Sequence, residues 1–231
     1  MANVAVITAR GGSKRIPRKN IKSFRNKPII AYSIQTALTS GLFDMVMVST
    51  DDAEIAEISI KYGAEVPFYR SAATADDHSG TAGVMLEVIG QLRDTGKEFE
   101  FACCLYPTAP LIKIENLHAG YELLRKKGYA SVFPVCPFSY PIYRALQIGQ
   151  DGKVEMIWPE NLNQRSQDLP PAWHDAGQFY WMHIPSFLKE KKLLTSNSGS
   201  IILNELQVQD IDKETDWKMA EMKYAILFPD E

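Results

Sequence analysis

Short, nearly unbroken apolar runs alternate along this chain with longer stretches whose apolar positions recur at helical spacing. Residues 4–8, 45–50, 101–106 and 130–135 are of the first kind, the pattern of strands covered on both faces. Residues 29–39, 53–62, 81–93 and 114–127 are of the second kind; Ile55, Ile58 and Tyr62 share one helical face. Gly63 and Gly128 stand where two of these helices should stop. Strand and helix alternating from the N-terminus predict an α/β fold with a mostly parallel sheet and right-handed crossovers.

The rhythm changes after residue 140. Residues 143–158 alternate apolar and polar around Gln150-Asp151-Gly152, a hairpin signal. Residues 177–184, GQFYWMHI, read as an aromatic strand. Together they predict a small antiparallel excursion over roughly 140–184 that leaves the main body and meets a second subunit. Residues 201–211 then return to the sheet, and 214–226 form a last helix with Trp217, Ala220 and Tyr224 on one face. Residues 1–231 therefore read as one domain carrying that insertion.

Composition narrows the class. The chain has 231 residues, 45% hydrophobic and 23% charged, enough to bury a core without staples. Cys103, Cys104 and Cys136 show no C-x-x-C spacing and read as buried thiols in a reducing compartment. No apolar run reaches membrane-spanning length, and the start is too short in its apolar part for a signal peptide, so a cytoplasmic location is expected. The net charge of −3 hides an asymmetry. Eight of the 25 Lys and Arg residues precede Asp44, where no acid occurs, leaving 17 against 28 acids. Local cations on an otherwise acidic chain suit a small polyanion such as a nucleotide, not nucleic acid.

Those cations concentrate in ITARGGSKRIPRKN, residues 7–20, directly after the first strand. That is the carboxyl edge of the sheet, where open α/β folds bind ligands. Glycines let backbone amides approach phosphate oxygens, and Arg10, Lys14 and Lys19 add charge. Neither G-x-x-x-x-G-K-[ST] nor G-x-G-x-x-G is present, so this is a phosphate loop of another kind. A merely solvated basic face is the bland alternative; the glycines and the preceding strand weigh against it. Near the other end, Asp210 and Asp212 sit two apart, which on an extended segment turns both to one side and suits Mg²⁺. On spacing alone the better reading is two solvent-facing acids before a helix, with Asp212 as its cap. His174-Asp175 lacks any G-x-S-x-G partner, and the histidines lack zinc-like spacing.

RGGSKRIPRKN resembles the nucleotide-binding motif of the CMP-sugar synthetases, cytidylyltransferases that activate nine-carbon acidic sugars. Further blocks follow in the family's order: 48–66, RSAATADDHSGT (70–81), LYPTAPL (105–111), RSQDLP (165–170) and DIDKETD (210–216). The resemblance implies a Rossmann-like, mostly parallel sheet flanked by helices, with an antiparallel dimerisation insertion and a homodimer. It implies CTP as donor, an acidic nine-carbon sugar as acceptor, and Mg²⁺, with Mn²⁺ as a possible substitute. It assigns catalysis to Arg10, Lys19 and Asp212, and the metal to Asp210 and Asp212. The nucleotide would lie against Ala9, Arg10, Gly11, Gly12, Ser13, Lys14, Lys19, Asn20, Arg70, Asp77 and Thr81. The sugar would lie against Tyr106, Arg165, Gln178 and Phe179. Tyr106 stands where sialic-acid enzymes have Gln, and AWHDAGQFYW (172–181) is similar to the pseudaminic acid branch. A sialic or legionaminic acid acceptor stays open. So does a non-catalytic nucleotide-binding regulator, which would be free to lose Asp210 or Asp212. No nucleic-acid or membrane partner is expected.

Overall fold

The computed structural model describes residues 2–74 and 80–230. Strand β1 (Asn3–Thr8) lies inside the sheet with β4 (Met45–Ser49) on one side and β5 (Phe101–Leu105) on the other, both parallel to it. Residues β2 (Ser23–Phe24) and β3 (Lys27–Pro28) form a separate small ribbon. Beyond β5 the order continues through β10 (Phe179–His183), β6 (Ser131–Pro137) and β11 (Ser198–Ile202). β10 runs antiparallel to both of its neighbours, and β11 is parallel to β6. β9 (Trp173–Asp175) pairs antiparallel with the far half of β6.

The alternation of these strands divides the core in two. Ala5, Ile7, Val46, Val48, Cys103, Leu105, Phe179 and Trp181 face α1 (Ile29–Thr39), α2 (Ala53–Lys61) and α4 (Ile114–Lys127). Val4, Val6, Met45, Met47, Ala102, Cys104, Tyr180 and Met182 face α3 (Thr81–Asp94) and α5 (Ile184–Glu190). Both faces are covered, which is why the strands read as unbroken apolar runs. α4 comes close to the sheet at Gly120, where an added Cβ would sit 3.1 Å from Trp181 and 3.2 Å from Phe179.

A third cluster carries the site. Ile16 from the basic loop, Phe24, Tyr32, Leu111, Ile211 and Trp217 pack together beneath α6 (Glu214–Leu227). Ile16 and Ile211 are each 1% exposed. Burying an isoleucine side chain is worth about 1.5–3 kcal/mol, so this shared cluster holds two distant segments together.

Two sequence expectations change. The aromatic strand expected in the excursion is β10, a central strand of the main sheet whose side chains are covered on both faces. What stands apart is the hairpin β7 (Leu146–Ile148) and β8 (Val154–Met156), whose Leu146, Ile148 and Val154 are exposed. The returning strand is also shorter than residues 201–211: β11 ends at Ile202, and a 3-10 turn (Glu205–Gln207) follows. No helix among the described residues is long and apolar enough to cross a membrane.

Candidate active site

The basic loop leaves β1 at the carboxyl edge of the sheet and is held by main-chain bonds: Ala9 N donates to Ser49 O at 3.0 Å, and Ser13 N to Gly11 O at 3.0 Å. The buried Asn20 side chain closes it, its Nδ2 donating to Arg10 O at 2.8 Å. Inside the closure lies a cavity of about 320 Å³. Arg10, Ser13, Lys14, Lys19 and Asn20 line one wall; Arg70, Thr74, Thr81 and Tyr106 line the other.

Arg70 is a cation at 8% exposure, deep in this wall. Its Nη2 donates to Ser49 O at 2.7 Å and its Nε to Ser49 Oγ at 3.2 Å, which fixes the guanidinium at the end of β4. Burial lowers its pKa, opposed by Asp51. Lys19 is placed from both sides. Its Nζ donates to Ile211 O at 2.6 Å and lies 3.9 Å from Asp212 Oδ1. Burial lowers its pKa from the usual lysine value; Asp212 and Asp210 oppose that shift, and Arg15 and Arg10 add to it. A lysine that pays a burial cost amid like charges is arranged to receive an anion.

Asp212 also meets Arg15 Nη1 at 2.7 Å. It does not cap α6. That role falls to Asp216, whose Oδ2 accepts from the Asp212 and Lys213 amides, each at 3.0 Å. Asp210 is exposed and lines a second cavity of about 450 Å³, with Tyr106, His174, Asp175, Gly177, Tyr180 and Gln209. Tyr106 is the shared wall. Its hydroxyl lies 3.0 Å from Thr81 Oγ1 on the first-cavity side. Its ring packs against Tyr180, centroids 5.4 Å apart, and Tyr180 Oη donates to Asp175 Oδ2 at 2.6 Å. Burial raises the pKa of both phenols, so they stay protonated donors.

The structure thus brings Arg10, Ser13, Lys14, Lys19, Asn20, Arg70, Thr81 and Tyr106 to one cavity. Ala9 is buried behind it. Gly11 is needed for close approach, because a Cβ there would lie 2.7 Å from Asp52 Oδ2; Gly12 has open space around it. Asp77 lies outside the described residues. Three expected sugar contacts are not brought to either cavity. Arg165 is exposed and forked onto Asp168 at 2.7 and 3.2 Å. Gln178, 3% exposed, turns its Nε2 to Gln207 O. Phe179 is fully buried against α4, because strand alternation sends Phe179 and Trp181 to one face and Tyr180 to the other. Lining residues to which the sequence reading gave no binding role include Thr8, Arg15, Ile16 and Thr74 on one side, and His174, Asp175, Tyr180 and Gln209 on the other. Arg15 could have been found from its place in the basic run; the second set has no local signal.

The cytidylyltransferase family profile matches residues 4–230. The chain belongs to the cytidylyltransferase family. Among curated cytidylyltransferases, the pseudaminic acid cytidylyltransferase of Campylobacter jejuni is 40% identical over 98% of this chain and 97% of its own length. The CMP-N,N'-diacetyllegionaminic acid synthase of Legionella pneumophila is 31% identical, over 96% of this chain and 95% of its own. The N-acylneuraminate cytidylyltransferase A of Danio rerio is 34% identical over 95% of this chain and 50% of its own. Among solved structures, CMP:2-keto-3-deoxy-manno-octonic acid synthetase complexed with CTP superposes with a TM-score of 0.72 at 16% identity, covering 98% of this chain and 99% of that one. That likeness establishes the shared cytidylyltransferase fold, a mostly parallel sheet flanked by helices.

Proposed function

We propose that this cytidylyltransferase joins CTP and pseudaminic acid to give CMP-pseudaminic acid and pyrophosphate. The observation that carries the acceptor is the 40% identity to the Campylobacter enzyme over nearly the full length of both chains. The geometry supports two substrates side by side: a cation-lined cavity and a second cavity divided from it by Tyr106.

In this reading CTP fills the first cavity, with its triphosphate against Arg10, Lys14 and Lys19 and its nucleoside toward Arg70 and Thr81. The sugar fills the second, its anomeric hydroxyl directed past Tyr106 at the α-phosphorus. The hydroxyl oxygen forms the new P–O bond, the bond to pyrophosphate breaks, and the hydroxyl proton leaves to solvent. Little covalent help is needed; alignment and neutralisation of charge on the phosphoryl and leaving oxygens lower the barrier. Lys19 and Arg10 supply that neutralisation.

Asp210 and Asp212 would hold Mg²⁺ or Mn²⁺. They are hard oxygen donors flanking the carbonyl that positions Lys19, which fits an ion that keeps waters and takes further ligands from phosphate. Bound there, the ion supplies charge neutralisation of the triphosphate. Holding the ion would draw Asp212 from Arg15 and Lys19 and would leave both cations to the nucleotide. We also place the enzyme in the cytoplasm as a homodimer built on the exposed apolar hairpin Leu146–Ile148 and Val154–Met156. Pyrophosphate release from CTP with pseudaminic, legionaminic and sialic acids tests the reading. It requires a clear preference for pseudaminic acid and for CTP over ATP, GTP and UTP; no release with any acidic sugar would make the protein a nucleotide-binding regulator.

A further inference from the structure

Five cations crowd residues 10–19, yet only four of them, Arg10, Lys14, Arg15 and Lys19, line the nucleotide cavity. Arg18 turns away toward the start of α2. Its Nη1 meets Asp52 Oδ2 at 2.5 Å, its Nη2 meets Asp52 Oδ1 at 3.0 Å, and Nη2 also reaches Glu54. The same short turn touches the other end of the loop. Gly11 N donates to Asp51 Oδ1 at 2.9 Å, and a Cβ on Gly11 would lie 2.7 Å from Asp52 Oδ2, so a side chain there would displace Asp52. The loop is therefore held to α2 at both its ends.

Arg18 also sits in the left-handed region, φ 55 and ψ 32. A residue with a side chain occupies that region only where its surroundings over-determine it, and such positions cluster at functional sites. Here the consequence lies one residue on. The turn at Arg18 starts the 3-10 segment Lys19–Ile21, which sends Lys19 toward Ile211 and Asn20 back onto Arg10 O. Asp212 meets Arg15 and Lys19 on one side of the loop, and Arg18 ties the loop to Asp52 on the other, so its converging cations are held in place before the nucleotide arrives.

We propose that Asp52 is a positioning residue for CTP: through Arg18 it holds the cation-rich loop in the shape that receives the triphosphate. The inference rests on the cytidylyltransferase reaction proposed above. Asp52 does not line the cavity, so it acts on the nucleotide only through the loop. The Arg18 hydrogen bonds hold its carboxyl down at about 2, so the clamp is closed throughout the pH range in which the enzyme would work.

Asp52 also caps α2, accepting from Ile55 N at 3.0 Å, so the test must separate the two roles. Asp52→Asn keeps a cap of equal quality and loses the bidentate ion pair. Arg18→Gly loses the pair from the other side and relieves the left-handed backbone. Each variant is measured for CTP affinity by titration calorimetry with Mg²⁺, for kcat and KM by pyrophosphate release, and for thermal unfolding. The expected result is a rise of about tenfold in Kd and KM for CTP, the size of one charge-assisted contact, with a smaller change in kcat and no matching loss of thermal stability. The Arg18→Gly/Asp52→Asn double variant should be no worse than either single one, because both remove the same contact. Unchanged CTP affinity in either single variant, additive losses in the double, or losses that track unfolding temperature would overturn the clamp while leaving the wild-type reaction intact. A wild-type protein that binds no CTP would overturn the reaction and the clamp together.

Discussion

The two cavities are assembled in opposite ways. The cavity proposed for the nucleotide is built mainly from one continuous stretch, residues 8–20, folded partly on itself, Asn20 onto Arg10 and Ser13 onto Gly11, and tied by Arg18 to Asp52. The cavity proposed for the acceptor is built from Tyr106 after β5, residues 174–180 of β9, β10 and their connection, and Gln209-Asp210 before α6, segments brought together only by the fold. A triphosphate asks for the same thing in every such enzyme, dense charge in a fixed loop. An acidic sugar asks for a particular outline, and a surface made of separate segments can change outline without disturbing the phosphate loop. The core cluster that takes in both Ile16 and Ile211 is where the two halves are fastened together.

If that division is right, the largest losses should come from the seam between the halves, where Asp210 and Asp212 lie. Excess chelator should abolish pyrophosphate release, and added Mg²⁺ or Mn²⁺ should restore it. Asp212→Asn should cut turnover by about a hundredfold, the scale of one transition-state charge contact, while leaving α6 capped, because Asp216 performs that task. Full turnover in chelator would remove the metal from the mechanism and return both acids to the surface.

Next in size is Lys19→Ala, which acts on the nucleotide half alone. Its loss should be about a hundredfold in kcat/KM for CTP, with kcat falling too, because the charge is wanted most as pyrophosphate develops. The sugar's KM should stay within a factor of a few. A variant that loses affinity for the sugar as much as for CTP would mean that the two halves do not act separately.

The same division explains what could be read from the sequence. β1, α1, β4, α2, α3, β5 and α4 were legible because each buries one whole face or both, which leaves an apolar period in the chain. The basic loop was legible as a cavity wall because charge and glycine concentrate in one run. β10 was legible as a strand but not as a central one: antiparallel insertion between β5 and β6 is a tertiary choice that no local period records. Phe179 against Tyr180 is the finest case. Both are aromatic, one residue apart, and only the sheet's orientation decides that Tyr180 meets the cavity and Phe179 the core. Arg165 had a motif to recommend it and a nearer carboxylate, Asp168, to occupy it.

Tyr180→Phe sharpens the comparison from the acceptor side. It removes the hydroxyl that Asp175 holds and keeps the ring that packs on Tyr106. The sugar's KM should rise about tenfold, as for a lost hydrogen bond to a charged group, and CTP affinity should be unchanged. A rise in the KM for CTP instead would show that Tyr180 acts through Tyr106 on the nucleotide side.

The smallest expected effect is a displacement of a pH limb, and it concerns Lys19 alone. Its pKa in the folded protein is lowered from the usual 10.5, first by burial. For a lysine that direction means the unfolded chain holds the proton more tightly. Across the window between the two pKa values stability therefore rises with pH, while the charge that CTP needs is being lost. Activity and stability should thus diverge: kcat/KM for CTP should fall as pH rises through a value below 10.5, with no parallel fall in unfolding temperature caused by this group. In the complex the triphosphate holds the proton on Lys19, so the alkaline limb of kcat should lie at higher pH than that of kcat/KM. Lys19→Arg keeps its charge through the whole range and should abolish the limb even where its shape lowers the absolute rate. An alkaline limb that survives unchanged in Lys19→Arg would belong to another group and would leave the lysine's depressed pKa without a part in nucleotide binding.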